Sequence, residues 1–89
     1  KMKTEFKNSF LKELQKLKEQ SLKDAIYQAI LNVENASNLS DDPNLKKLKG
    51  YSSYFRIRVK DYRIGVKFEN ETVFFVTFDH RKDIYKRFP

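Results

Sequence analysis

From Tyr54 to Lys60 the sequence alternates, with Tyr54, Arg56, Arg58 and Lys60 at one set of positions and Phe55, Ile57 and Val59 at the other. Successive side chains of a strand point to opposite faces, so the segment predicts a strand with one apolar and one cationic face. A polar outer face is ordinary in an antiparallel sheet, and one arginine there needs no explanation. Arginine, arginine and lysine at three consecutive outward positions do, because like charges on one face repel by a few tenths of a kcal/mol each. An anion would compensate that repulsion. In the next predicted strand Arg63 is out of phase with Tyr62, Ile64, Val66 and Phe68 and joins the cationic side.

A second constellation follows, Asp79-His80-Arg81-Lys82-Asp83-Ile84-Tyr85. His80 is the only histidine, and imidazole is the side chain whose ordinary pKa, near 6.5, suits proton transfer at neutral pH. A lone histidine is more often structural than catalytic, so the residue counts only with its neighbours. Tyr85 could stack on a nucleobase, a contact worth roughly 1 to 3 kcal/mol, or be an ordinary core or surface aromatic. No pair of carboxylates is spaced for glycoside hydrolysis, and two glycines, Gly50 and Gly65, make no phosphate-cradling loop. The acids of the basic half show no metal-ligand spacing, and with no cysteine, thiol nucleophiles, disulfides and thiolate zinc sites are excluded. A cofactor-free, metal-independent reaction on a phosphodiester stays open. Cations stabilise a pentacovalent phosphate while a proton acceptor activates a ribose 2′-hydroxyl, which requires RNA.

The elements that must position these groups are legible from periodicity. The chain of 89 residues is 39% apolar, 35% charged and 15% aromatic, the size of one domain over residues 1–89, with eight Phe and five Tyr to build a small core. Lys3 to Phe6 predicts a lone strand. Phe10, Leu11, Leu14 and Leu17 follow helical spacing, as do Leu22, Ala25, Ile26, Ala29, Ile30 and Val33. Ser21 with Asp24 resembles a capping box for the second helix, so the pair is joined near residues 19–21. The polar stretch Asn35 to Pro43 ends it. Tyr54 to Lys60, Tyr62 to Glu69 and Thr72 to Asp79 then predict a three-stranded meander turning at Asp61 and at Asn70-Glu71, its last strand apolar on both faces and therefore central. The Arg81 to Phe88 tail holds two helical turns or none. The expected fold is α+β, a small antiparallel sheet against a helical hairpin.

Charge is divided unevenly along this plan. Residues 1–45 carry seven lysines and seven acids, whereas residues 46–89 carry twelve Lys and Arg against five acids, so the whole net charge of +7 and all five arginines lie in the second half. Such clustering favours a polyanionic partner. Lys46, Lys47, Lys49, Lys60, Lys82 and Lys86 are the expected RNA contacts beyond the arginines. No apolar run approaches a membrane span and no secretory signal core is present, so a soluble, cytoplasmic protein is expected.

From Leu45 to Tyr85 the segments Leu-Lys-Lys-Leu-Lys-Gly, Tyr-Phe-Arg-Ile-Arg-Val, Asp-Tyr-Arg-Ile-Gly-Val and His-Arg-Lys-Asp-Ile-Tyr resemble the RelE branch of the RelE/ParE toxin superfamily. The opening Phe-Lys-Asn-Ser-Phe-Leu-Lys-Glu-Leu is similar to the first strand and helix of that family, so the resemblance covers nearly the whole chain. It implies a toxin that cleaves messenger RNA in the ribosomal A site and is held inactive by a cognate antitoxin in a hetero-oligomer. By position it places Arg56 and Arg58 at basic strand residues used for proton abstraction and phosphate binding, and Arg63 at the position that stabilises the transition state. Arg81 falls where leaving-group protonation or charge stabilisation is assigned, and Tyr85 where an aromatic stacks on the substrate base. One departure stands out. The family's lysine base is replaced by Arg56, and a guanidinium does not serve as a base, which makes His80 the preferred acid-base residue. Two other readings share the fold or the charge: a ParE-like inhibitor of DNA gyrase, and a basic module that binds RNA without cutting it.

Overall fold

Period-two segments become strands here and period-3.6 segments become helices, in the order β1 (Lys3–Phe6), α1 (Asn8–Lys16), α2 (Gln20–Asn35), β2 (Leu45–Lys47), β3 (Tyr54–Val59), β4 (Tyr62–Glu69), β5 (Thr72–His80) and α3 (Ile84–Arg87). The computed structural model describes residues 2–89, and Lys1 lies outside it. One sheet runs β1-β5-β4-β3-β2. The expected α+β plan is present, with three differences. β1 pairs with β5 in parallel, Lys3 opposite Thr72 and Phe6 opposite Phe75, whereas all other pairs are antiparallel. The helices carry the chain from β1 to the far edge, where the unforeseen β2 starts a meander whose three reversals return β5 alongside β1. β4 is therefore central, and β5 is the interior strand next to β1.

The helices cover one sheet face. Phe10, Leu22, Ile26, Ala29, Ile30 and Val33 meet Ile57, Val59, Ile64, Val66, Val73, Phe75 and Phe78 in the main core, all buried. Regular alternation would send Phe75 and Phe78, three apart, to opposite faces. Both reach the core because Gly65 pairs with Thr77 while Val66 pairs with Phe75, leaving Val76 as an extra residue in a bulge. Burying rings of this size contributes about 1.5 to 3 kcal/mol each.

Beyond Phe6 the edge of β5 loses its partner strand, and α1 takes over. Lys7 N–H donates to Phe75 O at 2.9 Å, Ser9 Oγ donates to Val76 O at 2.5 Å, and Glu13 Oε1 accepts from Phe78 N–H at 3.1 Å and from the Thr77 hydroxyl at 2.7 Å. Side chains of a helix thus satisfy a strand edge that would otherwise be open for pairing. The capping expectation at Ser21 is corrected: α2 starts at Gln20, the flanking residue is Glu19, and the Ser21 hydroxyl donates to the Glu19 carboxylate at 2.9 Å. Asn70 and Glu71 have φ of 53° and 57°, the two left-handed residues of a tight hairpin turn.

On the opposite face a small second cluster forms from Leu48, Ile84 and Phe88, with Tyr54 and Val76 against it. This cluster docks the single turn of α3. It is possible because Gly65 has no side chain: a Cβ there would lie 2.7 Å from the Phe88 ring. The arginine-bearing part of the sheet lies on this same outer face.

Candidate functional site

Strand register assembles the cations. Arg58 is directly opposite Arg63, and Arg56 stands between Gly65 on β4 and Lys46 on β2. Arg63 is held along the sheet by its own guanidinium, whose Nη1 donates to Tyr62 O at 2.8 Å and Lys60 O at 3.1 Å. Arg81 N–H donates to Asp61 O at 2.8 Å, tying the end of β5 to the β3–β4 turn. The Arg63 guanidinium is pushed below the ordinary arginine range, first by loss of solvent and then by the charge of Arg56, with Arg58 and Arg81 adding to the effect and Tyr85 opposing it. Four arginines and one phenol therefore share one field.

Ion pairing separates these arginines from the fifth. Among the described residues none of Arg56, Arg58, Arg63 and Arg81 has a carboxylate within ion-pair distance, whereas Arg87 has two, Glu13 Oε2 at 2.5 Å and Asp79 Oδ2 at 3.1 Å. Arg87 also donates to Thr77 Oγ1 at 3.0 Å and Phe78 O at 3.2 Å. The hydrogen bond to Glu13 and the two negative charges raise its pKa, outweighing its partial burial. Arg87 thus locks α3 to α1 and β5, whereas Arg58 and Arg81 are exposed and Arg56 and Arg63 are half-buried without a carboxylate partner among the described residues.

Beside them lies an open groove of about 440 Å³, bordered by Lys46, Lys47, Lys49, Arg56, Tyr51 and Tyr85, with Leu48 and Phe88 as its apolar floor. Tyr85 projects from α3 with 56% of its surface exposed, which settles it as a surface ring and not a core aromatic.

The remaining expected residues are placed differently. His80 pairs with Tyr62, one step out of phase with the Arg63 and Asp79 pair, so it leaves β5 on the helix side of the sheet. Its ring is edge-on to Tyr62 with centroids 5.6 Å apart, and Nδ1 accepts from Lys82 N–H at 3.2 Å. The structure does not bring this imidazole into the arginine row. Lys60 lies beyond the end of β3, exposed in the turn with φ of 54°. Lys82 and Lys86 are exposed on the 81–87 segment, and Lys86 Nζ is 3.3 Å from Asp83 Oδ1. Among the described residues no group of three His, Asp or Glu side chains is placed to hold a metal ion, and no helix is long and apolar enough to cross a membrane. Sequence reasoning passed over Tyr51, the Arg87 clamp and the seat of Phe88 on Gly65. Only Tyr51 had a local signal, an aromatic following Lys-Gly in the basic half.

The fold has known counterparts. The family model for the ParE toxin of the type II toxin-antitoxin system, parDE, matches residues 4–85. Toxin RelE3 of Methanocaldococcus jannaschii is 38% identical over 89 residues, 99% of this chain and 100% of that protein. A chain in the crystal structure of the RelB-RelE antitoxin-toxin complex from Methanococcus jannaschii superimposes with a TM-score of 0.73 at 36% identity, over 94% of this chain and 98% of that one. The isolated E. coli RelE toxin has the same fold, with a TM-score of 0.71 at 18% identity and 98% of both chains covered. The chain belongs to the RelE/ParE toxin superfamily. Within it, this is a type II toxin-antitoxin toxin of the RelE type.

Proposed function

We propose that this toxin is a ribosome-dependent endoribonuclease that cleaves messenger RNA in the A site by attack of a ribose 2′-hydroxyl, without a metal ion. The observation that carries this reading is the set of arginines without a carboxylate partner among the described residues, Arg56, Arg58 and Arg63 on the sheet face away from the helical hairpin and Arg81 just past the end of β5. The Arg63 guanidinium, held by Tyr62 O and Lys60 O, and that of Arg56, held by Asn44 O at 3.3 Å, are set before the substrate arrives, and with Arg58 and Arg81 they stabilise the charge that builds on a pentacovalent phosphate. Tyr85 stacks on a substrate base, and Lys46, Lys47 and Lys49 follow the RNA backbone along the groove. The toxin acts in the cytoplasm and is held inactive by a cognate antitoxin, as a RelE relative is found with RelB. Leu11, Tyr27 and Leu31, exposed on the hairpin, offer that antitoxin an apolar surface.

Purified toxin added to translating ribosomes should produce new message ends inside the A-site codon. Intact messages overturn the reading. If induced cells then show DNA-damage signalling, the ParE-like alternative takes its place; if RNA is bound but uncut, the protein is a basic binding module.

Proton transfer is a separate assignment, given to His80. For that role the substrate ribose must reach round the end of β5, where Arg81 follows His80. His80→Ala should then lower the cleavage rate by about a hundredfold and change the shape of the pH–rate profile. An unchanged pH–rate profile places the proton acceptor elsewhere and leaves the role of the arginines intact.

A further inference from the structure

Tyr85 is not the only exposed ring on the groove. Tyr51 is 49% exposed and borders the same space, together with Arg56, Lys46 and Lys49. Its position is built. A turn from Leu48 to Tyr51 is closed by Tyr51 N–H donating to Leu48 O at 3.2 Å, and Gly50 supplies the φ of 85° that the turn requires. Leu48 anchors the turn in the small outer cluster. The Tyr51 ring is edge-to-face with Tyr54, centroids 5.9 Å apart, and Tyr54 is edge-to-face with Phe88 at 5.5 Å. Two aromatic contacts linking three rings thus fix Tyr51 relative to α3, the element that carries Tyr85.

We propose that Tyr51 is a second base-stacking platform, holding the unpaired nucleotide next to the one stacked on Tyr85, and that it sets the base preference at that position. This rests on the ribonuclease reading above. Two rings open to solvent on one groove lined by cations match the repeating chemistry of single-stranded RNA, in which each π-face is joined to the next by a phosphate. A ring needed only to plug the loop would be buried against Tyr54 and Phe88, yet Tyr51 touches Tyr54 edge-to-face, stays half exposed and lines the groove.

The test uses toxin freed from its antitoxin, with 3-fluorotyrosine at all tyrosines and a 2′-O-methyl RNA trinucleotide that cannot be cut. The ¹⁹F signals of Tyr51 and Tyr85, assigned with Tyr→Phe variants, should both move on binding. Tyr51→Leu, which keeps apolar bulk against Tyr54 but removes the π-face, should weaken trinucleotide binding about tenfold. It should also flatten the base preference beside the cut in ribosome-bound messages, and Tyr51→Phe should restore both. A shift of Tyr85 alone, or a base preference in Tyr51→Leu equal to that of the wild type, overturns the role of Tyr51 and leaves the ribonuclease reading standing. If neither signal moves, the inference falls with the proposed role of the groove. Failure of the wild type to cut any message sinks the ribonuclease reading by a different measurement.

Discussion

Replacing Arg63 by alanine should slow cleavage of ribosome-bound message by about a hundredfold or more while leaving the fold at least as stable. Removal of one fixed donor from a charge-stabilising site costs about 10² to 10³ in rate, and Arg63 sits where the charges of Arg56, Arg58 and Arg81 converge. The stability side follows from the same geometry. Arg63 is directly across from Arg58, and opposed like charges destabilise a strand pair by a few tenths of a kcal/mol. Against that gain stand the two bonds its guanidinium makes to Tyr62 O and Lys60 O, which lie at a half-exposed turn. A depressed pKa in the folded state means that folding disfavours the charged form. A guanidinium is charged throughout the working range, so the penalty is the same at mildly acid and neutral pH and is relieved by an anion, not by titration. Inorganic phosphate should therefore raise the melting temperature of the wild type more than that of Arg63→Ala. Equal shifts in both proteins, or full activity in the variant, would show that Arg63 does not hold the phosphate.

Arg87→Ala is the instructive contrast. That guanidinium has its anions built in, and removing it leaves the carboxylates of Glu13 and Asp79 facing each other without a cation. Here charge stabilises the fold. The two arginines have equal formal charge and opposite structural meaning, which composition alone could not reveal. Arg87 and Glu13 are 74 residues apart, and nothing local in either segment points to the other.

What the sequence made legible was whatever a short period encodes. Alternation through Tyr54 to Val59 and Tyr62 to Phe68 placed Arg56, Arg58 and Arg63 on one face and Ile57, Val59, Ile64 and Val66 in the core, as the structure has them. The phase failed on β5. Its aromatics occupy both faces and a bulge at Val76 shifts the count, so the side taken by His80 could not be read by alternation. Leu45–Lys47 is too short to show a period, and its pairing with β3 supplies the edge. The parallel placement of β1 depends on how the helical pair crosses the sheet, a long-range property of the whole chain. Ser21 and Asp24 matched a capping pattern, but the helix begins two residues earlier, at Gln20, where Lys23 N–H bonds to Glu19 O at 3.0 Å.

Gly65→Ala should abolish cleavage without unfolding the sheet. The added Cβ would stand 2.7 to 2.8 Å from three atoms of the Phe88 ring, well inside van der Waals contact, and β4 cannot retreat because it is paired on both sides. The ring must move instead. With it goes α3, whose seat consists of little more than Phe88, Ile84 and Leu48 together with the Arg87 clamp. Tyr85 lies on that turn and would leave the groove. Overpacking of this kind costs about 1 to 3 kcal/mol. Because α3 can detach by itself, the loss is limited to its docking energy and the main core stays intact. Hydrogen exchange should accordingly rise at residues 84–88 and remain slow in β4 and β5. Phe88→Ala reaches the same state by losing the ring, and it supplies the decisive comparison. With no ring above it, alanine at position 65 has nothing to strike, so the double variant should be no less stable than Phe88→Ala alone, a coupling of about 1 to 3 kcal/mol in a double-mutant cycle. Additive losses in that cycle would show that the glycine is needed for the strand itself and not for the seat of the C-terminal turn.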